Sequence, residues 1–498
     1  MNRIRKVMSL LLCGLLLSTF VSCFPDKPPP PQKTSRLESR QTNRFESRRA
    51  VRSRQGSYSR PIASTPLSGP WKHKSNLPLV IIDTNGRWIP DDPKVPAQLK
   101  IIYDESGGKN SLDSSHIHFE GKIGIELRGK TSQGFPKRQY GFEFQDKQGN
   151  DKDVSIFGLP AESDWILHGP YSDKTLMRNY LAFEFSNRIG RYASRTQFVE
   201  VFLNDDRDKE IQAKHYVGVY LLLEKIKRGT HRVDIKSLKP THNEPPEITG
   251  GYIIKIDKID HYDSYFFTHR GTQLTLVYPK RNEITFAQKT WIRNYMNKFE
   301  TVLAGPDFKD PEKGYAKYID IDSHIDHFII NELFKNTDGF RFSAYMYIDR
   351  DGKLQAGPVW DFNLSMGNTV FHNSWTTYDW LIYTNPVPFW WHRLVSDANF
   401  KQKLVERWKE LRKNELATSA IINEVDQTVQ YLSEAQKRNF NRWRVLGRAT
   451  FGNPGPGYPT YHQEVEEMKM WLKTRIKWMD ENIERLPQKY SYSRKYRY

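Results

Sequence analysis

Between residues 77 and 146 the chain shows short β-type runs, LPLVIID (77–83), AQLKIIYD (97–104), KIGIELRG (122–129) and QYGFEFQD (139–146), and in the last two apolar and polar positions alternate with the two-residue period of a half-buried β-strand. The last two predict a hairpin, 122–129 with 138–144, whose tip holds Ser132, Gly134 and Pro136. After Trp165-Ile-Leu the chain reaches Asp173, an expected N-cap, and Leu176, Tyr180 and Phe183 then form a helical stripe. FVEVFLN (198–204) and YVGVYLLLEKI (216–226) predict an antiparallel pair, and GGYIIKID (250–257) and TQLTLVYP (272–279) are expected to extend the same sheet. From Thr285 the period becomes helical, over 285–303 and then 321–335, with Ile321, Ile325, Phe328, Ile329 and Leu333 on one face. A short hairpin, SAYMYID (343–349) and KLQAGPVWD (353–361), turns at Asp351-Gly352. Helices over 389–440 and 462–485 complete the chain, with Val465, Met468, Leu472, Ile476, Met479 and Ile483 spaced for packing. The expected fold class is α+β, sheet-rich over 77–280 and helical over 285–486, without an internal repeat.

The stretch GIELRGKT, Gly124 to Thr131, satisfies the Walker A pattern letter for letter. That pattern cradles phosphate only when its glycines lie in a loop after a buried strand and its Lys and Thr open a helix. Here Ile125, Glu126, Leu127 and Arg128 continue the strand alternation, and a turn follows instead of a helix. The residues therefore read as a β-hairpin.

Composition describes a soluble body, with 38% hydrophobic and 27% charged residues in 498. The first residues, Arg3, Arg5 and Lys6 before the apolar run Met8–Val21, have the layout of an export signal and are short for a membrane span. Phe20-Val-Ser-Cys23 resembles a lipobox, so 1–23 is expected to be a lipoprotein signal with Cys23 as the lipidated residue. Its loss would remove Cys13, and lipidation would use the other cysteine, leaving no disulfide. The net charge of +18 invites a nucleic-acid reading. Residues 1–23 hold +3, residues 24–60 hold ten basic and three acidic groups, and 487–498 hold +4, which leaves +4 for residues 61–486. Basicity thus belongs to the ends, and no specific nucleic-acid partner is expected. Residues 24–70 read as a Pro/Ser/Arg-rich tether and 487–498 as a basic, Tyr-rich tail.

Two segments carry candidate chemistry. Asn336-Thr-Asp338 ends a helix, and Trp360-Asp361-Phe-Asn363 ends a strand 23 residues later, so the intervening hairpin can fold two carboxylates toward one another. Converging carboxylates suit Mg²⁺ and a general base, whereas a helix-terminal Asp and a turn Asp are the structural alternative. His324 and His327 have a spacing that could hold a metal but lack a third ligand, and a solvated helix face is expected there. No G-x-S-x-G nucleophile elbow occurs, and His116 and His118 read as loop residues.

GIELRGKTSQGFPKRQYGFEF, DWILHGPYSDKTLMRN, VEVFLN, YVGVYLLLEKIKRGTHRVDI, GGYIIKIDK and AGPVWDFNLSMGN, in that order, resemble the CotH spore-coat kinase family, in a branch of exported proteins that are not spore coats. The resemblance covers Leu77 to Arg485 and places a CotH-like kinase domain at 71–486. It implies an atypical protein-kinase-like two-lobed fold with ATP and Mg²⁺ (or Mn²⁺) as cofactors, acting on Ser or Thr of a protein acceptor. By position, Asp338 matches the family's catalytic acid, and Asp361, with Asn363, its metal-binding segment. The 122–144 hairpin would cover the nucleotide phosphates, with Arg128 and Lys137 as charge partners and Glu224 orienting Lys137.

Many relatives carry Asp where this chain has Asn363, and Asn near the position of Ser343. One fewer negative charge weakens a two-metal site, so a pseudokinase serving as an adhesion or matrix-organising lipoprotein is the alternative function. A metal-dependent transferase or hydrolase using another donor is a third. The expected location is the bacterial cell envelope, through a lipid anchor in the membrane, although ATP is scarce outside the cytoplasm.

Overall fold

The computed structural model describes residues 66–260 and 263–486. The expected signal with Cys23, residues 24–65 of the tether and the tail 487–498 lie outside the described residues.

The first seven strands are β1 (Leu79–Asp83), β2 (Val95–Ile102), β3 (Ile117–Leu127), β4 (Tyr140–Phe144), β5 (Asp164–His168), β6 (Thr196–Asn204) and β7 (Tyr216–Glu224). They close into a barrel in the order β1-β2-β3-β4-β5-β7-β6. Closure comes from a parallel pairing of β1 with β6, Leu79 opposite Glu200 through Asp83 opposite Asn204. The inward positions, among them Val80, Leu99, Ile123, Phe142, Trp165 and Leu222, form one buried cluster, and this burial is the main force holding the strands.

The 122–144 hairpin forms as expected, with Ile125 opposite Phe142 and Leu127 opposite Tyr140. Gly124 of the Walker-like stretch lies inside β3, and residues 131–134 make one 3-10 turn.

A second sheet holds β8 (Tyr252–Ile256), β9 (Ser264–Phe267), β10 (Gln273–Tyr278), β11 (Ala344–Ile348) and β12 (Gln355–Ala356), in the order β12-β11-β8-β10-β9. The expectation that 250–279 extends the first sheet is therefore corrected. β7 is flanked on both sides, by β5 and β6, so it has no free edge for β8 to join. The hairpin at Asp351-Gly352 instead supplies β11, which pairs with β8.

The helices are α1 (Arg178–Arg188), α2 (Phe286–Ala304), α3 (Ile321–Phe334), α4 (Leu381–Thr384), α5 (Phe389–Val395), α6 (Ala398–Leu411), α7 (Thr418–Tyr431), α8 (Ala435–Arg442) and α9 (Tyr461–Asn482). A sheet-rich front and a helical back follow, an α+β arrangement. Asp173 does not cap a helix directly. Its carboxylate accepts from the backbone N–H groups of Thr175 (3.1 Å) and Arg178 (2.9 Å), so a turn intervenes before α1. α3 is buried from Ser323 to Phe334 instead of on one face, because α1, α6, α9 and β12 all pack on it. No helix among the described residues is long and apolar enough to cross a membrane.

Candidate active site

α3 delivers the first acid. Lys335 ends the helix in the left-handed conformation (φ 49°), and its ammonium is buried against the carbonyl oxygens of Asn373 and Thr376. The next residue, Asn336, is fully buried, and its side-chain amide donates to the carbonyl of Trp360 at 3.2 Å. Asp338 follows, its carbonyl accepting from the N–H groups of Arg341 and Phe342. A Cβ at Gly339 would lie 1.9 Å from the Asn331 side-chain oxygen, so only glycine lets this turn pack on α3.

Asp361 comes from the other side, just after β12. Its φ is +55°, a left-handed conformation that Asp tolerates better than most residues. The turn is held by its backbone. The Phe362 N–H donates to the Asn179 side-chain oxygen at 2.6 Å, the Met366 N–H donates to the Phe334 carbonyl at 2.7 Å, and Arg178 Nε donates to the Ser365 carbonyl at 3.1 Å. Asn363 is half-buried two residues on, and its carbonyl accepts from Asn368.

Electrostatics join the two acids. Burial pushes the Asp338 carboxyl up to about 6, with the nearby Asp361 and Asp257 charges adding to the rise and Arg341 and Lys258 opposing it. Burial also raises Asp361, opposed by Arg128, Lys255 and a hydrogen bond from Ser343 Oγ at 3.3 Å. Asp257 lies at the end of β8 with the Lys255 ammonium 2.7 Å away. Lys255 stands opposite Tyr345 of β11, its ammonium 5.7 Å from that ring's centre. The Arg128 guanidinium lies over the Trp360 ring at 5.6 Å.

A cleft of about 270 Å³ lies between the barrel and the second sheet. Glu126, Arg128 and Phe142 line it from one side and Lys255, Tyr345 and Trp360 from the other. The lining is of mixed charge, with Lys94, Arg128, Lys225 and Lys255 against Glu126, Asp164 and Asp263, and its end at Arg128, Lys255, Tyr345 and Trp360 offers cations and flat rings to an anionic ligand with a ring.

The set fits a divalent cation. Asp361 is a half-buried carboxylate that accepts a single long side-chain hydrogen bond among the described residues, and Asp257 and Asp338 share its field. Hard oxygen ligands of this kind are those Mg²⁺ and Mn²⁺ take.

The structure brings Arg128, Asp338 and Asp361 together but not Lys137 and Glu224. The Lys137 ammonium is buried, donating to the Val219 carbonyl (2.6 Å) and the Asn439 side-chain oxygen (2.8 Å), and burial holds it well below the usual lysine range. Glu224 pairs with Arg195 at 2.6 Å and with Arg232. The expected Lys137–Glu224 pair is thus replaced by two separate sets of contacts, because Lys137 precedes β4 and points behind the barrel wall toward α8.

Lys255 and Asp257 do not stand out in the sequence. Their signal was a lysine inside the apolar strand YIIKI with an aspartate two residues on, which alternation puts on one face. His324 and His327 do not lie on a solvated helix face. Both are buried, with His324 Nδ1 on the Asp320 carbonyl (2.8 Å) and His327 stacked on Trp391. Elsewhere, Asp206, Asp208 and His215 cluster on the β6–β7 connection, where the Lys214 ammonium already meets both carboxylates.

Residues 125–479 match the family described as CotH kinase protein. The chain is also 22% identical over 315 residues to inner spore coat protein H of Bacillus subtilis (strain 168), covering 60% of this chain and 72% of that protein. The family match runs from within β3 to within α9 and contains Arg128, Lys255, Asp257, Asp338 and Asp361. Spanning well over half of the sequence, it makes this chain a member of the CotH kinase family.

Proposed function

We propose that the protein transfers the γ-phosphoryl group of ATP to a Ser or Thr hydroxyl of a protein acceptor. The observation that carries this reading is the convergence of Asp338 and Asp361 beside the cleft that Arg128 and Lys255 line, their turns tied by Asn336. Asp338, ionised above pH 6, accepts the hydrogen bond of the incoming hydroxyl and takes its proton. Arg128 and Lys255 hold the phosphate oxygens and oppose the charge that grows on them, the largest contribution a protein makes to this reaction. Asp361, with Asp257 and the Asn363 carbonyl oxygens, would hold Mg²⁺ or Mn²⁺. The chemistry such a cation would supply there is neutralisation of phosphate charge. Two-lobed kinase architecture, the barrel as one lobe and the α3-centred helices as the other, belongs to the same reading. So does anchorage in the cell envelope through a lipid on Cys23, with an envelope protein as acceptor.

The test is calorimetric titration of the protein with ATP in Mg²⁺ and in Mn²⁺, beside Asp361→Ala, followed by transfer of labelled γ-phosphate to envelope proteins. Metal-dependent binding that disappears in Asp361→Ala supports the reading. Folded protein that binds ATP with neither metal overturns it. One observation favours the alternative, a non-catalytic adhesion or matrix-organising lipoprotein. Ser343 Oγ already occupies an Asp361 oxygen, and metal-dependent binding without any transfer would be its signature.

A further inference from the structure

His168 and Asn179 stand in the stretch DWILHGPYSDKTLMRN, and neither takes part in the chemistry above. Both are buried. They form a directional chain of hydrogen bonds whose sense is set at one end by a backbone group. The Phe362 N–H can only donate, so the Asn179 oxygen faces it, at 2.6 Å. Asn179 must then present its NH₂ to His168 Nε2, 3.1 Å away, which makes that nitrogen the acceptor. The ring proton therefore sits on Nδ1 and is given to the Gln139 side-chain oxygen at 3.1 Å. Burial, helped by the Arg128 and Lys137 charges, lowers His168 to about 3 against the pull of Asp173, so the neutral ring this chain requires persists at physiological pH.

The two ends of the chain matter. Gln139 opens the returning arm of the hairpin, and its carbonyl accepts the Arg128 N–H at 3.0 Å. Phe362 follows Asp361. One relay thus runs from the backbone beneath the guanidinium to the backbone beneath the carboxylate. We infer that Gln139, His168 and Asn179 are positioning residues that set the Arg128-bearing hairpin against the Asp361 turn, fixing the distance between the cation that meets the phosphates and the acid that holds the metal. This rests on the proposed kinase reading, which supplies the ligand.

Gln139→Leu and Asn179→Leu, at opposite ends, are compared with wild type in the full chain by two measurements. Hydrogen exchange of the peptide containing Phe362 reads the relay without any ligand, and titration with Mn²⁺ plus ATP reads the site. Gln139→Leu is the sharper probe, because Gln139 is half-buried and its side chain meets His168, which stands one link before Asn179 and two before Phe362. The expected result is faster exchange at the Phe362 peptide in both variants and Mn²⁺ plus ATP affinity lower by roughly tenfold, the effect of losing a partner behind a metal ligand, with Gln139→Leu still folded and its melting temperature lowered no further than the loss of one buried acceptor brings. Unchanged exchange in Gln139→Leu overturns the inference. Faster exchange with unaltered Mn²⁺ plus ATP affinity also overturns it, since the relay would then be structural only. If wild type itself binds no Mn²⁺ plus ATP, the proposed function fails and with it the positioning role, whatever the exchange shows.

Discussion

Asn336 Nδ2 and the Trp360 carbonyl are 3.2 Å apart, and this hydrogen bond ties the turn bearing Asp338 to the turn bearing Asp361 across 24 residues of chain. Both groups are buried. Asn336→Leu leaves the carbonyl without its donor, a loss of about 1–3 kcal/mol. Because the two acids lose their common reference, turnover is expected to fall by roughly 10²-fold, the effect of a misplacement near 1 Å. Chemical denaturation and phosphoryl transfer, measured on the same preparation, check both values.

Asp338 makes the pH dependence specific. With its carboxyl at about 6, activity is expected to rise through pH 6 and level above it, where an ordinary aspartate would already be ionised from 3.8. Folding raises this pKa, so ionisation opposes the folded state: the penalty is absent below 3.8, grows between 3.8 and 6, and is complete above 6. Asp338→Asn should therefore be inactive yet more stable than wild type at pH 7.5, and no more stable at pH 3.5. The gain is on the order of 1 kcal/mol, discounted because 36% of the side chain meets solvent. Thermal unfolding at the two pH values decides it.

The cations divide into two kinds. Arg128 and Lys255 line the cleft and Lys137 does not. Arg128→Met and Lys255→Met are expected to weaken ATP binding by about tenfold or more, as loss of a charge-assisted hydrogen bond does. Lys137→Met should leave ATP binding within about threefold while lowering stability by about 1–3 kcal/mol, since the Val219 carbonyl loses its donor. Calorimetric titration of the three variants separates them.

Behind the site, Glu332 of α3 and Arg475 of α9 form an ion pair at 3.0 Å with both side chains fully buried. Glu332 also accepts from the N–H groups of Leu381 and Ile382. Arg475→Met strands a buried carboxylate and is expected to cost about 3–5 kcal/mol. Glu332→Gln with Arg475→Met should recover part of that loss, which a double-mutant cycle in denaturant reads directly.

The strands and the long helices were legible because each is written in a local period. Ile123, Ile125 and Leu127 alternate, and Ile325, Phe328, Ile329 and Leu333 recur at helical spacing. The two acid-bearing segments were legible for the same reason, since each closes a periodic run. Lys137 was misplaced because it stands in the turn before β4, where no period says which way a side chain points. The burial of His324 and His327 was also hidden. The α3 stripe announces one apolar face, but four neighbours cover the helix on every side.

What the sequence determined by itself is the order of elements, the α+β class and the two segments that carry Asp338 and Asp361, all properties of short windows of chain. Tertiary structure alone decided that β1 closes on β6, that β8 therefore joins β11 in a second sheet, and that Lys255 and Arg128, not Lys137, meet Asp361. The physical reason is that strand partners and charge neighbours are chosen by which free edges and which burial remain once the rest of the chain has packed. Asp361 and Arg128 are separated by more than two hundred residues, and no local period carries that pairing.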